Sequence, residues 1–318
     1  MSQTLLDIVK DCDNFPYYTD NPALYTTFLQ NYYYAFKVSR CSRVLGHVPK
    51  SIVQAFEFPA TAWEINHETQ ELILERLTTL MSNTLHEMTR LPHAHPLFSK
   101  LKQNWRNETF PIRDPDGSGS ILLEIERSAS ALFEILTAGV QLTCFVDDPQ
   151  RGLLLWIARR SRTKQTYPGM LDNSAAGGLE TGLARRPVEG VVREAVEETS
   201  LDQGYVRKRV KGAGALSYYY VKGGGDSGAG LLQPEVEYLY ELELDPGVIP
   251  VPGDGEVEGF YLWGVEEVKV ALGRGEFKLS SAIAIIDFFV RHGVVTPENE
   301  RDYFEIITRL HRRLEFLV

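Results

Sequence analysis

The stretch PVEGVVREAVEET, residues 187–199, constrains this chain more than any other. It opens on Pro187, which suits the first position of a helix because the N–H that proline lacks would have no partner there. Over this predicted helix Glu194, Glu197 and Glu198 stand at i, i+3 and i+4, so three carboxylates share one face. Like charges crowded in this way cost free energy in a bare protein, and a divalent cation turns that cost into attraction. Oxygen ligands of this kind suit Mg2+ or Mn2+, and magnesium keeps several waters and takes further oxygens from a substrate phosphate. Arg193 can reach Glu189 or Glu197 one turn away and fix a carboxylate. Just ahead, the pair Gly177-Gly178 lets the backbone approach closely. The plain alternative is a solvated acidic face held by its own ion pairs, and the helix by itself does not separate the two.

Strand candidates lie on both sides of this helix. Residues 140–146 and 152–159, separated by the turn Asp147-Asp148-Pro149-Gln150, precede it, and 214–221, 235–244 and 256–262 follow. Helices are expected at 127–136, at 280–292, which is apolar nearly all round and therefore buried, and at 297–314. Upstream, helices are expected at 22–36, with Asn21 as N-cap and Pro22 at the first position, at 51–55, and at 68–85, where Ile73, Leu77 and Leu80 share a face. The run TFPIRDPDGSGS, residues 109–120, is rich in turn formers and reads as a linker or exposed loop. A length of 318 residues suits about two domains, here 1–120 and 121–318. The glycine-rich run 223–230 lacks the Lys-Ser/Thr ending of a phosphate-binding P-loop and reads as a flexible loop.

Composition narrows the function. A net charge of −10 argues against a nucleic-acid surface but not against a phosphate substrate, because a bound cation and a few local arginines reverse the sign inside one pocket. No apolar run approaches the roughly 20 residues of a membrane span, and the N-terminus has neither a secretory nor a transit pattern. Three widely spaced cysteines form no CxxC pair, which points away from zinc and redox motifs and toward a reduced, cytoplasmic protein. His292 and His311 lack a second ligand at metal spacing, and there is no Gly-x-Ser-x-Gly elbow.

The residues from Gly178 onward resemble the Nudix box, G-x5-E-x7-R-E-U-x-E-E-x-G-U. The core REAVEE is intact. One extra residue lies before Arg193, the place of the first glutamate falls at Ala184, and the late glycine is Ser200. Beyond the box, IARRSRTKQTYPGMLDNSAAGG, LLQPEVEYLYELEL, DGEVEGFYLW and IDFFVRHGVVTPENERDYFEIITRLHRRLEF are similar to the fungal Nudix family related to thiamine pyrophosphokinase. DCDNFPYY, GHVPKSIVQAF and FPIRDPDGSGSILLEIERSASALF are similar to that family's leading domain. The resemblance implies the Nudix half alone, without the kinase domain of the bifunctional relatives. It implies an α/β fold, the Nudix α/β/α sandwich with a mixed sheet, preceded by a smaller α+β domain. It implies a magnesium-dependent hydrolase that cleaves the diphosphate of thiamine diphosphate, or of its oxothiamine and oxythiamine analogues, to the monophosphate and phosphate. Glu194, Glu197 and Glu198 then bind metal, and Gly177 offers a backbone carbonyl.

Cleavage proceeds by in-line attack of water on phosphorus, so Glu197 or Glu198 is expected to orient that water or accept its proton, with Arg193 fixing the cluster. Many Nudix enzymes draw a further ligand or base from outside the box, and Glu235, Glu237 and Glu256 are the candidates here. Arg159, Arg160 and Lys164 can grip the terminal phosphate, and the turn Tyr167-Pro168-Gly169-Met170 can shape the pocket mouth. Tyr219 points opposite to Tyr218 and Tyr220, and one of these faces can stack an aromatic ring. The rival readings are hydrolysis of a nucleoside-diphosphate-linked substrate such as ADP-ribose, and a catalytically silent Nudix fold that only binds. The expected partner is a small-molecule diphosphate, with no nucleic acid and no membrane, on a monomer or homodimer.

Overall fold

A computed structural model describes residues 2–39, 41–56, 58–75, 101, 103–115, 119–223 and 230–314. Its centre is a hairpin of two long apolar strands, β7 (Thr137–Asp148) and β8 (Gly152–Arg160), turned at Gly152 with φ +72°. Around it pair β9 (Leu171–Asp172), β10 (Ala175–Gly178), β11 (Lys211–Lys222), β12 (Leu231–Glu243) and β13 (Val257–Gly264). The strand order is β11-β12-β7-β8-β13, with β10 on β7 and β9 on β8. The β12–β7 pair is parallel and the other pairs are antiparallel, so the sheet is mixed, as expected.

Residues alternate across β7, and both faces are covered. Val140, Leu142 and Cys144 meet Val191, Val192 and Ala195 of α4 (Pro187–Thr199), beside which lies α5 (Gln203–Arg209). On the other face Leu155, Ile157, Leu216 and Leu239 meet three C-terminal helices, α6 (Val265–Gly273), α7 (Leu279–Arg291) and α8 (Tyr303–Leu310). The first helix, α1 (Leu5–Cys12), packs there too, through Ile8, Val9 and Cys12. Helices on both faces of one sheet make an α/β/α sandwich.

A second sheet precedes it, in the order β2-β1-β4-β3, built from β1 (Tyr33–Val38), β2 (Cys41–Pro49), β3 (Trp63–Asn66) and β4 (Glu71–Leu74), with α2 (Pro22–Tyr32) and α3 (Lys50–Ala55). The helix expected over 22–36 ends at Tyr32. Phe36 and Val38 then point inward with Lys37 between them, and pairing to β2 and β4 overrides the helical pattern. Residues 71–74 form a strand rather than part of a helix over 68–85, because Leu72 and Leu74 are both buried on one face; residues 76–85 lie outside the described residues. The expected linker contains β5 (Thr109–Arg113), which pairs with β6 (Ile121–Glu126) and buries Phe110 and Ile112. Pro111 is tolerated because this ribbon has only two strands, so one edge needs no donor. A 3-10 turn, Arg127–Phe133, follows and leads into β7. Of the glycine-rich loop, residues 224–229 lie outside the described residues.

Candidate active site

The three glutamates of α4 meet different surroundings, because β10 runs past the helix on one side and the loop before β13 on the other. Glu198 is buried, and its Oε2 accepts from the Ala176 N–H at 2.9 Å. Glu194 lies over Gly177, where a Cβ would sit 2.1 Å from the Glu194 carboxyl carbon. The glycine thus lets the Glu194 carboxylate rest against the backbone, the close approach expected of the Gly177-Gly178 pair. Glu197 is exposed at the rim. The helix ends at Ser200, which adopts the left-handed conformation with φ +54° and donates its N–H to Val196. This is the position at which the box carries glycine.

Arg193 reaches neither Glu189 nor Glu197. It donates to Glu180 at 2.7 Å and to Glu194 at 3.0 Å, while Glu189 pairs with Arg207. Glu180, two residues after Gly178, thereby ties the loop to the helix, whereas the place of the box's first glutamate falls at Ala184. Ala184 is a buried apolar contact.

The loop before β13 is drawn onto the end of α4 by backbone bonds from Val251 to Thr199 and from Gly253 to Glu198. A Cβ at Gly253 would lie 2.1 Å from the Glu197 carbonyl oxygen, so only glycine allows this approach. In consequence carboxylate oxygens of Glu198, Asp254 and Glu256 come within 4.8 Å of one another. Glu256 was among the candidates outside the box and Asp254 was not, because only the fold of this loop brings it to α4. Glu237 and Glu235 lie on β12, outside that trio. Burial and then Glu235 push Glu237 up to about 8.

Among the cations, Lys164 bonds Glu256, and despite burial this contact holds the Glu256 carboxyl below the usual range. Arg160 is buried and donates to Asp172, to the Tyr167 carbonyl at 3.1 Å and to the Thr166 carbonyl at 3.0 Å, so it clamps the 161–170 loop to the sheet. Arg159 donates to the Gly169 carbonyl at 2.8 Å and lies over the Tyr261 ring. Tyr219 is not brought to the site. It is wholly buried and stacks on Phe15 at 4.1 Å, whereas Tyr218 faces the other way and bonds Glu235.

Burial raises the Glu198 carboxyl well above its ordinary range, with Asp172, Glu194 and Glu256 adding repulsion against a single amide donor. Burial raises Glu194 as well, opposed by Arg193. The set fits a hard divalent cation: oxygen donors with no thiolate or imidazole among them, a backbone cradle that a Cβ would fill, and buried like charge in excess of local positive charge.

No family model matches the chain. Over 98% of its length it is 33% identical to Uncharacterized protein YJR142W of Saccharomyces cerevisiae, 92% of which is covered. It is 35% identical over 210 residues to Nudix hydrolase 20, chloroplastic, and 34% identical over 207 residues to Nudix hydrolase 24, chloroplastic, both of Arabidopsis thaliana. Through these two plant relatives the chain is similar to Nudix hydrolases. The plant alignments cover 65% and 64% of this chain and 53% of each relative, so the chain matches about half the length of those two Nudix hydrolases. Among the described residues no helix is long and apolar enough to cross a membrane.

Proposed function

We propose that this chain is a Nudix hydrolase, a magnesium-dependent pyrophosphohydrolase that cleaves the diphosphate of thiamine diphosphate, or of its oxothiamine or oxythiamine analogues, to the monophosphate and phosphate. The observation that carries the reading is the meeting of Glu198 with Asp254 and Glu256 beside Lys164, on the helix whose Glu194 lies over the Gly177 backbone. The thiamine part is supported by the extended likeness of the sequence to the thiamine pyrophosphokinase-related Nudix family. In this reading residues 1–120 form a leading unit that lends α1 to the sandwich, and 121–318 carry the chemistry.

Glu194, Glu197 and Glu198, with the Gly177 carbonyl and Glu256, would hold the cation. A bound Mg2+ would neutralise charge on the phosphate oxygens and favour ionisation of the attacking water. The chain's own groups do the rest. The Ala176 N–H fixes Glu198 Oε2, and the carboxylate lies beside those of Asp254 and Glu256. Arg193 orients Glu194 through a bond anchored at Glu180. Glu198, or Glu197 at the rim, takes the proton of the attacking water. Lys164, the one of the three expected cations that contacts a carboxylate of the trio, is positioned to meet the terminal phosphate with its ammonium.

The test is phosphate release from thiamine, oxothiamine and oxythiamine diphosphates, and AMP release from ADP-ribose, each with and without Mg2+. Orthophosphate from a thiamine compound only with the metal is expected. AMP from ADP-ribose alone would replace the thiamine assignment with the nucleotide one.

A further inference from the structure

The face of the sheet opposite α4 carries polar groups that the chemistry above does not use. In β12, Glu235 and Glu237 point to this face, and in β7 so do Thr137, Gly139 and Gln141, in parallel register with them. Glu235 is satisfied by the Tyr218 hydroxyl and by Thr137 at 3.3 Å. Glu237 and Gln141 are not. The Gln141 amide donates to Glu237 Oε1 at 3.3 Å, but Gln141 Oε1 and Glu237 Oε2 have no partner among the described residues, although the two side chains are 1% and 5% exposed. Two buried oxygens left open are costly unless a ligand or an ordered water fills them. Gln141 Oε1 can only accept, while Glu237 Oε2 accepts when ionised and donates when protonated.

Charge and rings lie around these two oxygens. Lys278 lies near enough to Glu237 and Asp172 to act on both electrostatically, yet its ammonium makes no hydrogen bond or ion pair among the described residues. Tyr167, in the left-handed conformation with φ +51° and held there by Arg160, brings its ring beside Tyr220 and Glu235. Gly139 lets the Glu237 carboxylate lie against the β7 backbone: a Cβ there would lie 2.3 Å from Glu237 Oε2 and 3.1 Å from the Gly177 carbonyl oxygen. The open oxygens therefore border the loop on which the diphosphate would sit.

We infer that Gln141, Glu237 and Lys278 form a subsite for the non-phosphate end of the substrate, and that it takes a heteroaromatic ring bearing an N–H donor, as an amine or a lactam, next to an acceptor. The donor meets Gln141 Oε1 or Glu237 Oε2, the acceptor meets Lys278, and Tyr167 offers a face for the ring. This deepens the pyrophosphohydrolase reading and rests on it for the position of the diphosphate.

Binding separates the two ideas, because it requires no turnover. Calorimetry on the full chain would compare thiamine monophosphate, oxythiamine monophosphate and AMP with methyl phosphate, which has no ring. The wild type should bind at least one ring compound at least about tenfold more tightly than methyl phosphate. E237Q, Q141L and K278M should each weaken that binding about tenfold or more and leave methyl phosphate unchanged, with thermal melts confirming that each variant is folded. K278M, at a half-exposed position, keeps the test open if a buried variant fails to fold. The inference is overturned if the wild type binds no ring compound better than methyl phosphate, or if folded variants bind as the wild type does. Failure of phosphate release with intact ring binding would sink the hydrolase reading instead.

Discussion

Replacing Glu198 by glutamine tests the site most directly. The side chain is 7% exposed, one oxygen accepts from Ala176, and the carboxylate lies beside those of Asp254 and Glu256. Glutamine keeps the shape and the Ala176 bond through its carbonyl, but turns an amide N–H2 toward the place of the cation. Loss of a metal ligand or base of this kind should lower turnover at least about 10²-fold, or about 2.7 kcal/mol of transition-state stabilisation. Stability should move the other way. The folded Glu198 has its pKa raised, chiefly by burial, so its favourable contribution is complete below the unfolded carboxyl pKa and is lost as pH rises through the folded value. Metal-free wild type should therefore lose stability as pH rises from about 4.5, and Glu198→Gln should show a flatter profile and a higher melting temperature near neutrality. A hundredfold excess of Mg2+ over its dissociation constant should add about 2.7 kcal/mol to the wild type and little to the variant. Phosphate release and thermal melts across pH, with and without Mg2+, measure all of this. A variant that turns over normally, or that gains as much from Mg2+ as the wild type, would refute the assigned role.

Other substitutions probe the parts around it. Glu180→Gln should lower turnover roughly 10- to 100-fold with Arg193 left intact, since it removes the anchor that orients Glu194, and Mn2+ titration should show weaker binding. Gly177→Ala should drive Glu194 off its place and abolish cation binding while circular dichroism stays native. Tyr219→Ala should cost about 3–5 kcal/mol in denaturant titration and leave KM unchanged once folded, because the ring belongs to the core around Phe15. Ser200→Gly should raise stability by about 1 kcal/mol by relieving the left-handed cap, read as a shift in the urea midpoint.

Helix α4, the carboxylate face on it, the glycine pair beside it and the strands of the central sandwich were legible in the sequence. These are local matters: spacing of 3.6 for the helix, alternation for the strands, and a proline at Pro187 that sets the start. Local pattern failed where pairing outweighed propensity, as at residues 33–38 and 71–74, whose inward side chains are decided by strands far away in the chain. It failed in the same way at Tyr219, since alternation separates it from Tyr218 but does not say which face holds Phe15 and which holds Glu235. Only the tertiary structure brought Asp254 and Glu256 to Glu198, by way of a loop that must fold onto the end of α4, and only it turned Arg193 to Glu180. The physical reason is that a ligand set is defined by distance in space. Side chains more than 50 residues apart acquire that distance from the packing of the sheet and its helices, a quantity no window of sequence contains.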